Sequence, residues 1–156
     1  MGCFYENGLE FSCKRCSACC GKTPGVVYLS RQDLSLLAEF HKTSVAEFIS
    51  RYCRWVMYYG GIEVLALFEE KNHDCVLWNN GCSAYEARPV QCRTWPFWSW
   101  IVADKESWDD CAKNCPGMNQ GKSWPKEFID QEKTKYDENI PLSKEEWENS
   151  NNNKSN

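Results

Sequence analysis

The stretch "CKRCSACC", residues 13–20, packs four cysteines into eight residues and constrains the chain more than any other feature. Thiols at this density have three uses: bridging one another, holding a metal, or attacking a substrate. Cysteines in a C-x2-C step sit on one tight turn, so their sulfurs converge readily on a shared ion, whereas a bridge between them strains the backbone. Crowded thiolates also repel one another until a cation neutralises them and lowers their pKa. Lys14, Arg15 and Lys22 would offset the remaining negative charge of such a site, or else form a plain solvated basic turn. Eleven cysteines occur in all, and the odd number leaves at least one unpaired in any all-disulfide scheme.

With 156 residues the chain is the size of one ordinary domain and can bury a core without covalent staples. Its start, "MGCFYENGLEFSC", lacks the cationic and apolar regions of a signal peptide, and no stretch approaches membrane-spanning length. The expected setting is therefore the reducing cytoplasm, where stable disulfides are rare. Met1-Gly2-Cys3 does not complete a myristoylation motif, because Glu6 stands where Ser or Thr is needed. A net charge of −4 argues against a domain that coats nucleic-acid phosphates. The expected partner is a protein or a small molecule, with neither nucleic acid nor membrane.

Local patterns place the cysteines on a framework. "GVVYLS" at 25–30 reads as a short strand leading to a Ser30 cap, and Leu34, Leu37 and Ala38 form one stripe of a helix ending near His41. Ser44 with Glu47 signals a second helix, in which Val45, Phe48, Ile49, Tyr52 and Val56 keep helical spacing until Gly60-Gly61 stops it. "IEVLALFEE" and "DCVLW", separated by "KNHD", read as a pair of strands, and "NNG" at 79–81 as a turn before Cys82. Pro89 opens a short turn carrying Cys92 and Arg93, followed by the aromatic run "TWPFWSW". Ser107 with Asp110 reads as the cap of a helix reaching about Asn114, broken by Cys115-Pro116-Gly117. Phe128, Ile129, Glu132 and Tyr136 align on a further helix, and Ser143 with Glu146 caps a last short one. "NSNNNKSN" is polar, low in complexity and reads as a disordered tail.

The expected fold is α+β: a small, irregular single domain organised by metal, with short strands, several helices and a helical C-terminal extension. Residues 1–124 form the cysteine-cluster domain, 125–148 the extension and 149–156 the tail.

Taken together, these motifs resemble the YkgJ-type cysteine-cluster family, described as a zinc- or iron-chelating domain. The opening C-x2-C-x2-C-C pattern appears as Cys13, Cys16, Cys19 and Cys20. A later cysteine segment and "Y..RP..CR..PF" run appears as Cys75, Cys82, Tyr85, Arg88, Pro89, Cys92, Arg93, Pro96 and Phe97. A closing "CPG" with a following glycine appears as Cys115, Pro116, Gly117 and Gly121. The resemblance implies a thiolate-bound metal held by Cys13, Cys16, Cys19, Cys20, Cys75, Cys82, Cys92 and Cys115. Those eight ligands would fill two closed tetrahedral zinc sites. Cys13, Cys16 and Cys19 also resemble the C-x2-C-x2-C run of bacterial ferredoxins, whose remote ligand precedes a proline as Cys115 does here. A relative sharing the pattern, the flagellin lysine methylase, is understood to need an iron-sulfur cluster, although this chain lacks the length for the rest of that enzyme.

Other groups are secondary. His73 lies two residues before Cys75, but neither it nor His41 belongs to a histidine pair at metal spacing. Arg88 and Arg93 either hydrogen-bond ligand sulfurs or form surface ion pairs. The tryptophans from Trp95 to Trp100 read as a hydrophobic lid, and Cys53 as a small buried hydrophobe. The sequence holds no Ser-His-Asp set, Gly-rich phosphate loop or H-E-x-x-H. The expected function is that of a metal-binding protein holding zinc or an iron-sulfur cluster through clustered thiolates. The alternative is an iron-sulfur- or metal-dependent enzyme modifying a protein or small molecule.

Overall fold

A computed structural model describes residues 2–14, 26–72, 74–79 and 81–154. Within them the chain forms six α-helices and two small antiparallel sheets, an α+β arrangement as expected from the sequence. Helix α1, Arg31–Phe40, starts where Ser30 accepts a hydrogen bond from the Asp33 N–H and Asp33 accepts one from the Ser30 N–H, a reciprocal capping box. Helix α2, Val45–Tyr52, is capped by Ser44, whose hydroxyl accepts from Glu47 N–H.

Helix α2 stops at Tyr52, earlier than its apolar spacing suggests. Cys53–Met57 forms strand β2, paired antiparallel with β3, Glu63–Leu67, and Gly60-Gly61 turn the hairpin instead of ending a helix. Val56 matches the helical period only by coincidence of spacing. The segment 26–30 lies along β3 through single contacts, with Leu67 N–H donating to Val27 and Leu29 N–H to Leu65. The expected strand "DCVLW" is reduced to isolated bridges, Glu69 to Cys75 and Trp78 to Cys82. These elements enclose one hydrophobic cluster built on Leu29, Leu34, Leu37, Phe48, Leu65 and Leu142.

A second cluster, built on Tyr5, Phe97, Ile101, Trp108, Met118 and Ile129, is enclosed by the N-terminal segment and the later helices. Helix α3, Val90–Arg93, is followed by the aromatic run and by α4, Lys105–Ala112. The cap of α4 is Asp104, whose carboxylate accepts from Ser107 N–H, so Ser107 is the receiving residue and not the cap. Strand β4, Met118–Trp124, pairs with β1, Leu9–Phe11; β1 is too short for its Leu-Glu-Phe alternation to announce it, and β4 carries no alternation at all. Helix α5, Lys126–Glu138, buries Ile129 and Glu132 and turns its remaining charge outward. Ser143 and Glu146 form a reciprocal cap for α6, Lys144–Lys154. That helix includes residues 149–154 of the polar tail, with the Arg31 guanidinium donating to Ser150 Oγ at 3.0 Å. No helix among the described residues is long and apolar enough to cross a membrane.

Buried Asp33 joins the two halves. Besides capping α1, its carboxylate accepts from Val90 N–H at 3.0 Å and from the Asn139 side-chain amide at 3.0 Å. A buried carboxylate is tolerated when several donors surround it, and here they come from three separate elements.

Candidate metal centre

Five of the eight candidate ligands lie in described residues, and each is carried by a different local structure. Cys13 is exposed and directly follows β1 and Ser12. Cys75 and Cys82 are half-buried against the first cluster. The loop between them is tightened by Trp78 N–H donating to the Cys75 carbonyl and by the Ser83 hydroxyl donating to Leu77 at 2.6 Å. Cys92 is half-buried on α3, and Cys115 is half-buried against the second cluster, after α4. Cys16, Cys19 and Cys20 lie outside the described residues, as do Arg15, Lys22 and His73. Among the described residues, no three His, Cys, Asp or Glu side chains converge as metal ligands.

Both ends of the cysteine-rich segment are fastened to segments that carry other candidate ligands. At the entry, Ser12 N–H donates to the Gly117 carbonyl at 3.0 Å, and Ser12 Oγ accepts from Lys122 N–H at 2.8 Å. Gly117 stands two residues after Cys115. Only glycine fits there, because a Cβ would lie well inside contact distance of the Ser12 carbonyl oxygen. Gly121, at φ +84°, is equally restricted, since a Cβ would strike the Ser12 side chain. At the exit, Tyr28 N–H donates to Gln91 Oε1 at 3.0 Å and Gln91 Nε2 donates to the Val26 carbonyl at 2.8 Å. Gln91 is the immediate neighbour of Cys92.

The donor chemistry around the loop fits bound thiolates. Trp78 Nε1 and Arg88 Nε are buried, and neither has a hydrogen-bond acceptor among the described residues. An unsatisfied buried N–H is costly, and metal-bound sulfur is an acceptor that such donors commonly serve. The Arg88 guanidinium also lies over the Tyr85 ring, 3.7 Å from its centroid, which fixes the side chain beside the Cys82 to Cys92 segment. Arg93, by contrast, is exposed.

The remaining groups take structural roles. His41 caps α1, its Nδ1 lying 2.9 Å from the Leu37 carbonyl, and its ring packs against Phe40, Phe48 and Tyr52. Cys53 borders the first cluster, and burial pushes its thiol up to about 12. Burial, then the neighbouring Asp110 and Cys115, also raise the Cys111 thiol. In the aromatic run, Phe97 is buried and stacks on Trp108, Trp98 stacks on Tyr136 of α5 at 4.8 Å, and Trp100 stands exposed.

A cysteine-rich α+β domain with buried, unsatisfied N–H donors at Trp78 and Arg88 has the chemistry of a thiolate-site domain. The chain is a member of the CxxCxxCC family, described as "Putative zinc- or iron-chelating domain", whose model matches residues 12–116. All eight candidate ligands fall inside that match. The chain is also similar to the uncharacterized protein MJ0661 of Methanocaldococcus jannaschii, with 29% identity over 96 residues, covering 60% of this chain and 48% of that protein. It thus spans about half the length of that relative. No solved structure matches it.

Sequence reasoning found the cysteines and Arg88 but missed Ser12, Gln91 and Trp78. The hydrogen bonds of Ser12 and Gln91 span 63 to 110 residues, a separation at which no local pattern exists.

Proposed function

We propose that this chain is a metal-binding domain that holds zinc or iron through the thiolates of Cys13, Cys16, Cys19, Cys20, Cys75, Cys82, Cys92 and Cys115, in the reducing cytoplasm. The observation that carries this reading is the pair of fastenings on the cysteine-rich segment: its entry is bonded beside Cys115 and its exit beside Cys92. A chain that only needed to bury a loop would have no reason to bind its two ends to two of the three other thiol-bearing segments. Zinc would supply closed tetrahedral sites whose binding energy adds to folding, and iron would supply a thiolate-held redox centre. The chain's own residues do three things. They supply thiolates from the segment 13–20 and from Cys75, Cys82, Cys92 and Cys115. They direct the Trp78 and Arg88 N–H groups toward accumulating negative charge. They also connect the two hydrophobic clusters through that centre, because Cys75 and Cys82 border one and Cys115 the other.

The test is elemental analysis of anaerobically purified protein, wild type against Cys92→Ser. The reading predicts stoichiometric zinc or iron in the wild type, a loss of at least half of it in the variant, and lower stability of the variant, since ligand loss couples to folding. Full metal retention by Cys92→Ser would remove Cys92 from the ligand set.

A further inference from the structure

Helix α4 and the turn behind it carry two cysteines on one face. Trp108 is buried in the second cluster, and Cys111, Ala112 and Cys115 pack against that same cluster, while Lys113 and Asn114 between them are exposed. Positions three, four and seven residues after an inward-facing tryptophan fall on one side of a helical path, so both thiols are turned the same way. The turn is closed by Asn114 N–H donating to the Cys111 carbonyl at 3.1 Å and Cys115 N–H donating to the Ala112 carbonyl at 3.4 Å. Because α4 ends at Ala112, the approach of Cys115 to Cys111 is set by a turn and not by a rigid helical ladder. The electrostatics agree, since the Cys111 thiol is raised by burial, then by Asp110, then by the neighbouring Cys115. A disulfide joins residues whose Cα atoms lie about 4.4–6.8 Å apart, a span that one turn of chain provides. Both thiols are half-buried and unbridged, which leaves them open to a small reagent.

We infer that Cys111 and Cys115 are a dithiol–disulfide pair, in which Cys111 competes with a bound metal for the Cys115 sulfur. Cys115 is a candidate ligand and Cys111 is not, so the bridge withdraws one thiolate from the metal centre and weakens its hold. That consequence rests on the metal-binding reading, whereas the pair itself does not. The oxidant is a small-molecule disulfide of the glutathione type. One cysteine thiolate attacks a sulfur of that disulfide, its S–S bond breaks, and a small thiol leaves with a proton. The second cysteine then attacks the mixed disulfide, and the second small thiol departs with the proton that this cysteine gives up. The protein exchanges two S–H bonds for one S–S bond, and the small disulfide is reduced to two thiols.

The test incubates the native protein, as isolated anaerobically, with oxidised glutathione, alkylates the remaining thiols and digests with trypsin in the absence of reductant. Cleavage after Lys105, Lys113 and Lys122 leaves Cys111 alone in peptide 106–113 and Cys115 alone in peptide 114–122, so the bridge is seen by mass spectrometry as these two peptides joined. A colorimetric chelator reads released metal in parallel. Wild type should give the joined peptides and lose metal as they accumulate. Cys111→Ser should carry as much metal as wild type when isolated and release it more slowly under the same oxidant. Cys111→Ala takes its place if the serine variant does not fold.

Peptide 106–113 left unjoined, or joined instead to the peptide 1–14 that holds Cys3 and Cys13, overturns the pair. Equal rates of release from wild type and Cys111→Ser, or a Cys111→Ser protein isolated without metal, overturn the competition for Cys115. Wild type that holds no metal yet forms the bridge upholds the pair and overturns the metal-binding reading.

Discussion

Replacing Gly117 with alanine tests whether the entry of the cysteine-rich segment is fastened as tightly as the geometry requires. A Cβ at Gly117 would stand inside the contact radius of the Ser12 carbonyl oxygen, 3.1 Å from its carbon and 3.3 Å from the Phe11 ring. The first two atoms are backbone and cannot swing aside, so β1 must move away from β4 or the turn at 115–117 must open. Either response stretches the Ser12 N–H bond to the Gly117 carbonyl, now 3.0 Å. Overpacking of this kind costs about 1–3 kcal/mol and the lost hydrogen bond about 1 kcal/mol more, a total of about 2–4 kcal/mol. With a urea m-value of about 2 kcal/mol/M, the unfolding midpoint should fall by about 1–2 M. Equilibrium unfolding followed by tryptophan fluorescence measures this directly. Gly2→Ala, at a position with nothing within 4 Å, is the control and should shift stability by less than about 0.5 kcal/mol. A Gly117→Ala midpoint equal to that of wild type would refute the close approach and the fastening built on it.

Further outcomes follow from the packing and the buried thiols. Trp108 is almost fully buried, stacked on Phe97, with its Nε1 donating to Asn119 at 2.8 Å. Trp108→Ala should therefore cost about 3–5 kcal/mol, seen in a thermal melt as a drop of about 10–15 °C. Cys53, with its thiol pushed up to about 12 by burial, should resist iodoacetamide at pH 8 in the native protein, where mass spectrometry should find Cys13 modified in metal-free samples. The folded-state value is raised, so the stability that Cys53 contributes is complete below the ordinary thiol pKa and is lost as pH rises toward about 12. Cys53→Val should accordingly lessen the loss of stability in that alkaline range, as read from denaturation midpoints at stepped pH.

Capping signals carried most of the helical framework, because Ser30, Ser44 and Ser143 each satisfy amide groups within three residues of themselves. The end of α2 was hidden because Tyr52 and Val56 are spaced like helical neighbours while Cys53–Met57 forms its hydrogen bonds with β3. Strand β4 was hidden for another reason. Its middle residues, 119–123, are exposed and polar, so it forms through backbone pairing to β1 and not by burying an apolar face. The cap of α4 was misplaced by three residues because Asp104 and Ser107 both suit that role, and only the hydrogen bond distinguishes donor from acceptor. The candidate cysteines stand out in the sequence by their spacing. Gln91 and Ser12 do not, since their partners are backbone atoms brought near only by the complete fold.

X-ray absorption at the zinc and iron edges of anaerobically purified protein tests the central claim most directly. Thiolate ligation predicts a dominant sulfur shell at about 2.3 Å around the bound metal. A shell of oxygen and nitrogen alone, or protein that carries neither metal, would contradict it.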